Sequence, residues 1–185
     1  MKDLLVWYSN SQSDDIPLYV YEALLSVFCI AVVFILTNYG VKNGWRKVVM
    51  TLLYEYSFLL YCPTIIFREA QQHRGIELTP FWSYGAIREG SYVILPETIM
   101  NVIVFIPVGL MMGLAYREAN WKRVLVVGAS LSFSIEQLQL LFKKGCFEID
   151  DILHNTLGCI IGYGIFKLVR FVVNKIGVGK CTAQR

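Results

Sequence analysis

Polar and ionisable side chains gather near the ends of strongly apolar segments in this sequence of 185 residues. Ser132, Glu136 and Gln139 are spaced four and then three apart, so they share one face of a helix. Glu136 lies about two turns, or ~9 Å, from the predicted helix end. A carboxylate at that depth could bind a polar substrate or act as a general acid and base. The alternative is a hydrogen-bonded packing residue.

A second polar group follows at the start of the next apolar segment. Asp151 and Asn155 are four apart on one helix face, with Asp150 beside them and His154 one turn on. Oxygen ligands of this kind could hold a divalent cation, but a helix cap and a solvated charge explain the same carboxylates. We therefore predict no metal site and no cofactor. Asn101 stands just inside the apolar run 101–114 and could supply a further hydrogen bond.

We assign two roles to the residues of the predicted site. Glu136 and Asp151 are the candidate catalytic residues. Arg88 is a cation of the long loop, where it could meet lipid phosphates or remain a solvated loop charge. The candidate ligand-binding residues are the other polar groups together with this cation: Asn101, Ser132, Gln139, Asp150, His154, Asn155 and Arg88.

The composition is that of a membrane protein. Hydrophobic residues make up 56% of the chain, charged residues make up 17%, and the mean hydropathy is +0.51. A chain of this length accommodates about five spanning helices of ~20 residues in a single domain, residues 1–185. The net charge of +3, without a basic patch interleaved with aromatics, argues against nucleic acid as a partner.

The elements that carry these residues are predicted from the apolar segments. We expect an all-α integral membrane protein with about five transmembrane helices. An interfacial or re-entrant segment is expected between helices two and three, because the stretch 68–95 is too polar to span and its aromatic core is short. Gly145 is the predicted stop signal after the fourth helix. The predicted spans are 18–39, 48–67, 95–116, 121–142 and 150–173.

The distribution of basic residues predicts an orientation. With the N-terminus outside and the C-terminus in the cytoplasm, eleven of the 17 Lys and Arg residues fall on the cytoplasmic side. The positive-inside rule favours that arrangement. The ends of helices three, four and five that carry the polar residues would then lie together in the outer half of the membrane.

Two glycine pairs predict close helix packing. Gly109 and Gly113, and likewise Gly158 and Gly162, have the spacing of small residues that lets helices approach closely. We expect these pairs to join helices three and five and to hold the polar groups in register.

The stretch 76–163 resembles the VanZ-like family. The matching motifs are IELTPF at 76–81, NVIVFIPVGLMMG at 101–113, SFSIEQLQ at 132–139 and DDILHNTLGCIIGY at 150–163. The resemblance implies a bacterial integral membrane protein of the cell envelope. Some members of that family are linked to low-level resistance to teicoplanin, a glycopeptide-type antibiotic that acts on peptidoglycan precursors outside the cell.

Three functions fit these observations. The first is an envelope protein that contributes to glycopeptide tolerance by binding a membrane lipid, a lipid-linked cell-wall intermediate, an envelope polymer or the antibiotic in an outer polar pocket. The second is a membrane-embedded enzyme that modifies a lipid headgroup or lipid-linked precursor, with Glu136 as general acid and base and Asp151 orienting the substrate or binding a metal. The third is a small transporter or scaffold, which five helices without an inverted repeat favour least.

Overall fold

The structure, a computed structural model, describes residues 24, 27, 28, 31, 32, 34, 35, 43–71 and 75–182, with side chains as far as residue 176. Long helices dominate, and a pair of short strands joins two of the loops. In chain order the elements are α1 (Gly44–Tyr61), which a π-helical turn (Cys62–Ile66) extends, then β1 (Gly75–Glu77), α2 (Trp82–Arg88), α3 (Ile94–Ala115), α4 (Trp121–Phe142), β2 (Cys146–Glu148) and α5 (Ile149–Thr182).

Four helices in the described part of the chain are long and apolar enough to cross a membrane: Gly44–Ile66, Ile94–Ala115, Trp121–Phe142 and Ile149–Ile176. The predicted all-α membrane fold class is confirmed. The first predicted span, 18–39, lies largely outside the described residues. Large apolar side chains stay exposed along the outer faces of the helices, for example Val126, Leu168 and Phe171. A surface of that kind suits contact with lipid.

The fourth helix ends where the sequence predicts, at Phe142, but the stop signal is different. Lys143 takes the left-handed conformation, with φ of 56°, and its amide donates to Gln139 O and Leu140 O. This is the usual closure of a helix C-terminus, made here by a lysine instead of a glycine. The prediction that Gly145 stops the helix is wrong by two residues. Gly145 serves close packing instead, because a Cβ there would lie 3.2 Å from Gln139 Oε1.

The helix of the second predicted span ends in a π-helical turn, which is wider than an α-helical turn. The turn Cys62–Ile66 is π-helical and contains Pro63. Proline has no amide hydrogen to continue the helical pattern, which is a common reason for a local change of helix type. The Thr64 hydroxyl donates to Leu60 O at 2.7 Å and satisfies one carbonyl there.

Helices α3 and α5 touch backbone to backbone at their glycines. A Cβ added at Gly162 would lie 1.9 Å from Ile106 O, and one added at Gly109 would lie 1.8 Å from Cys159 O. Gly158 approaches Val102 O in the same way. Only glycine permits these approaches, so the predicted packing of the two helices through the small-residue pairs is confirmed.

The apolar core lies where α4 and α1 pack against this helix pair. Phe105, Val108, Val124 and Cys159 are each at most 2% exposed. Tyr56 on α1 donates its hydroxyl hydrogen to Val104 O at 2.8 Å. This packing therefore fixes the positions of the helices relative to one another along the bundle axis.

A short parallel strand pair joins two loops at one end of the bundle. The register pairs Gly75 with Cys146, Ile76 with Phe147 and Glu77 with Glu148. No pattern in the sequence predicts these strands, because each is three residues long. The pairing holds the long loop before α2 against the segment that leads into α5.

Candidate functional site

The N-termini of α3 and α5 and the C-terminus of α4 meet at the end of the bundle that carries the strand pair. Side chains from all three helices contact one another there. We use the name polar cluster for Asn101, Ser132, Glu136, Gln139, Asp151 and Asn155. Four of these residues are buried, and Asn101 and Asp151 are partly exposed.

Glu136 is the most enclosed carboxylate of the polar cluster. It is 1% exposed, on the predicted inner face of α4 beside Ser132 and Gln139, which are also buried. Its Oε2 accepts a hydrogen bond from the Glu148 amide at 2.9 Å. The carboxylate of Asp151 is close enough for the two charges to interact, as is the guanidinium of Arg68. A buried acid held by a backbone amide is suited to binding or to proton transfer.

A chain of hydrogen bonds ties the three helices together. Asn101 donates from Nδ2 to Asp151 Oδ1 at 2.6 Å, which joins α3 to α5. Asn155 donates from Nδ2 to Ser132 Oγ at 2.8 Å, which joins α5 to α4. The Ser132 hydroxyl donates to Asp151 O at 3.5 Å. The predicted faces of α4 and α5 therefore meet through polar contacts as well as through packing.

Asn155 presents an acceptor that nothing in the described part of the chain satisfies. Its Oδ1 is buried and accepts no hydrogen bond there, although its amide group is held by Ser132. Buried polar atoms are almost always paired, so an orphaned acceptor of this kind fits a donor from water or from a bound molecule.

Asp150 faces away from this cluster and holds α2. Its Oδ1 accepts from the Phe81 amide at 2.5 Å, and its Oδ2 accepts from the Ser83 amide at 3.1 Å and the Ser83 hydroxyl at 2.5 Å. Phe81 has a positive φ of 63°, a conformation that the bonds to Asp150 help to maintain. Asp150 therefore caps a neighbouring helix.

His154 also contacts α2. Its Nε2 lies 2.9 Å from the Tyr84 hydroxyl, and its buried Nδ1 finds no partner among the residues that the structure describes. Asp150 and His154 thus position the short helix over the bundle end. Both were predicted to bind ligand, and the structure shows their side chains engaged with Ser83 and Tyr84.

Arg68 is the cation that approaches the polar cluster. A Cβ added at Gly145 would lie 3.1 Å from Arg68 Nη1 and 3.2 Å from Gln139 Oε1, so both side chains surround that glycine. The Lys144 ammonium donates to Arg68 O, and the Gln71 amide donates to Lys143 O at 2.6 Å. These bonds draw the loop after α1 towards the end of α4.

Arg88, the predicted ligand-binding cation, is exposed on the last turn of α2. Within the described residues it forms no ion pair, and the structure does not join it to the cluster. Its role stays a prediction. Nothing in the sequence favours Arg68 over Arg88, because the contact depends on how the loop folds back over α4.

Glu148 adds a carboxylate that the sequence interpretation did not include. It lies three residues before Asp151, at the end of β2, and is partly exposed. Burial, together with the nearby charge of Glu97, raises its pKa to about 7, while the neighbouring Trp82 side chain opposes the shift. The group therefore changes charge near neutral pH. Its position two residues before Asp150 was the signal available in the sequence.

The site is rich in acceptors. Glu136, Glu148 and Asp151 contribute carboxylates, and Asn155 contributes the unsatisfied carbonyl. Within the described ranges, no three His, Cys, Asp or Glu side chains are grouped so that they could hold a metal ion. A molecule that offers hydrogen-bond donors, such as hydroxyl or ammonium groups, matches this arrangement.

Comparisons with known proteins bear on these residues. A family model described as VanZ/LLP1 matches residues 22–170. Protein VanZ of Enterococcus faecium is 33% identical over 95 residues, which are 51% of this chain and 54% of that protein. The match therefore spans about half the length of this curated relative. No solved structure matches the chain.

Proposed function

The chain belongs to the VanZ/LLP1 family, and on that premise we propose that it is an envelope membrane protein that contributes to tolerance of teicoplanin-type glycopeptides. The polar cluster would bind a membrane lipid headgroup or a lipid-linked cell-wall intermediate. Binding of such a molecule would change which lipids or lipid-linked intermediates are accessible to the antibiotic at the membrane surface.

The observation that carries this proposal is that the polar cluster contains both the buried carboxylate of Glu136 and the unsatisfied acceptor Asn155 Oδ1. Ionisable groups within spanning segments cost several kcal/mol, about 2.5–3.5 on insertion scales, and are commonly retained for function. Packing alone does not account for an acceptor left without a donor. A ligand with hydroxyl or ammonium groups would satisfy both residues.

Access to the cluster supports binding from the membrane surface. Asp151 and Asn101 are partly exposed, while Glu136 and Gln139 lie deeper. A headgroup that contacts Asp151 would enter beneath α2, which Asp150 and His154 hold at the bundle end.

We also propose that this end faces the outside of the cell, with the C-terminus in the cytoplasm. The excess of Lys and Arg at the other end supports that orientation. A target outside the membrane is compatible with the class of antibiotic.

A second candidate function is enzymatic modification of a lipid headgroup or lipid-linked precursor. The proximity of Glu136 and Asp151 favours it, since two neighbouring carboxylates can hold different protonation states and divide acid and base roles. Glu136→Gln separates the candidates, because it keeps the shape of the side chain and removes the proton that turnover requires. If tolerance is lost while the bound lipid still co-purifies with the Glu136→Gln variant, the result favours the enzyme, and loss of both favours the binding protein.

The test is antibiotic tolerance in a sensitive host that expresses the full chain. We expect Glu136→Gln and Asp151→Asn to return the inhibitory concentration of teicoplanin to that of cells without the protein. Glu55→Gln is the matched control, because Glu55 also lies in a spanning helix and is outside the cluster. Wild-type tolerance in both cluster variants, at equal membrane abundance, would overturn the proposal.

A second pair of variants tests which of two cations, Arg68 or Arg88, contributes to tolerance. Arg68→Gln should lower tolerance, because the guanidinium lies beside Gln139 and its charge acts on Glu136. Arg88→Gln removes the same charge from an exposed position and should leave tolerance closer to wild type. Lipid extracted with each purified variant and identified by mass spectrometry would reveal the bound molecule.

A further inference from the structure

A cavity of about 280 Å³ opens at the end of the bundle opposite the polar cluster. It lies between the first turn of α1, the last turn of α3 and the distal half of α5. Among the described residues, three arginines line it, Arg46, Arg117 and Arg170, and none of the described lining residues carries a carboxylate. The two ends of the bundle therefore differ in character, one rich in acceptors and the other cationic.

The three arginines have donors that no described residue occupies. Arg46 donates from Nε to Ala115 O at 2.7 Å, which anchors its side chain, and no described residue accepts from the terminal amino groups of its guanidinium. Arg117 and Arg170 are exposed. The ion pair found in the part of the chain that the structure describes joins Arg123 to Glu118, so none of the three lining arginines has a carboxylate partner there.

The floor of the cavity is apolar. The Phe166 ring packs directly on Gly113, where an added Cβ would lie 2.3 Å from Phe166 Cδ1. The Tyr116 hydroxyl lies 3.3 Å from the Tyr54 hydroxyl, which fixes that side of the opening. Beside the cavity, α5 exposes large apolar side chains such as Leu168 and Val169. A cationic rim above an apolar floor suits a molecule with an anionic head and an apolar tail.

We propose that this cavity binds the phosphodiester headgroup of an anionic phospholipid. Guanidinium groups bind phosphate oxygens in pairs, and basic pockets between transmembrane helices recognise anionic lipid headgroups. Ligand pockets for whole drug-sized molecules run from about 300 Å³ upward, so this volume suits a headgroup whose acyl chains lie outside along α5. The site is separate from the polar cluster and does not depend on its function.

The test uses the full chain, purified in detergent and titrated with phosphatidylglycerol, with native mass spectrometry to count bound lipids. Phosphatidylcholine serves as the lipid of zero net charge, and inorganic phosphate serves as a competitor. We expect one phosphatidylglycerol molecule to bind at least about tenfold more tightly than phosphatidylcholine. Arg117→Gln with Arg170→Gln should remove most of that preference. Both side chains are exposed, so this variant should fold, and adding Arg46→Gln should complete the loss.

The matched control for the triple variant replaces Lys122, Arg123 and Lys175 with Gln, which likewise removes three positive charges at the same end but outside the cavity. Retained phosphatidylglycerol binding in the control would support the site. An equal loss in the control and the cavity variant would overturn it, because diffuse charge would then explain the binding. No preference over phosphatidylcholine would also overturn it, and displacement by an equal concentration of inorganic phosphate would overturn the assignment to a lipid.

Discussion

The Asp150 carboxylate accepts hydrogen bonds from both the amide and the hydroxyl of Ser83, a residue 67 positions earlier in the chain. Ser83 is 3% exposed and Asp150 is 1% exposed, so the contact is closed to solvent. It fixes the short helix α2 against the start of α5. The two adjacent aspartates therefore have different surroundings, because Asp151 contacts Asn101 instead.

The contact predicts a difference in stability between variants. Ser83→Ala and Asp150→Asn should each lower stability by about 1.5–3 kcal/mol, the usual range for hydrogen bonds to a charged group. Their effects should not add, because both changes remove the same interaction. Thermal unfolding of the purified single and double variants measures the coupling. Ser91→Ala, which changes an exposed serine just after α2, is the control. Additive effects would contradict the shared contact.

The glycine packing predicts a sharp contrast between neighbouring positions on α5. Gly162→Ala should destabilise the bundle by at least about 1–3 kcal/mol, because the new methyl group would overlap Ile106 O. Gly164→Ala should have little effect, since the nearest atom, Trp121 Cη2, would be 3.6 Å away. Detergent-solubilised protein can be compared by thermal unfolding. Equal stability of the two variants would show that α3 and α5 are not in backbone contact at Gly162.

Glu148 predicts a pH dependence of stability. Its pKa is raised to about 7 from an ordinary value of 4.5, so between those values the folded protein holds a proton that the unfolded chain has released. Stability should therefore fall as pH rises from about 5 to about 8. Glu148→Gln should reduce that fall, because it removes the titrating group and keeps the amide that bonds to Glu136.

Unfolding temperatures of wild type and Glu148→Gln measured across this pH range provide the test. Glu89→Gln, an exposed carboxylate, is the control. Parallel pH profiles of wild type and Glu148→Gln would contradict the role assigned to Glu148.

The proposed orientation can be tested with a membrane-impermeant maleimide. Cys146 precedes α5 at the polar-cluster end and is partly exposed, so it should react in intact cells, whereas Cys181 should react only after permeabilisation. Burial and the charge of Glu148 raise the pKa of the Cys146 thiol, so labelling should be done at about pH 8.5 or above. The reverse pattern would place the polar cluster on the cytoplasmic side.

The sequence by itself determined the four spans that lie within the described residues and the helix faces that carry the polar side chains. Apolar runs of about 20 residues predict membrane helices from composition alone, and the spacing of Ser132, Glu136 and Gln139 predicts a shared face because helical geometry is local. The glycine pairs predict close packing for the same reason. The fourth span, Trp121–Phe142, was predicted to the residue.

Only the tertiary structure decided which polar residues contact one another. The adjacent residues Asp150 and Asp151 point to different partners, Ser83 and Asn101, and both partners lie at least 50 positions away in the chain. Arg68 reaches the cluster and Arg88 does not, because a loop folds back over the end of α4 and pairs Gly75 with Cys146. Such contacts depend on how loops close between helices, and no local periodicity in the sequence records that geometry.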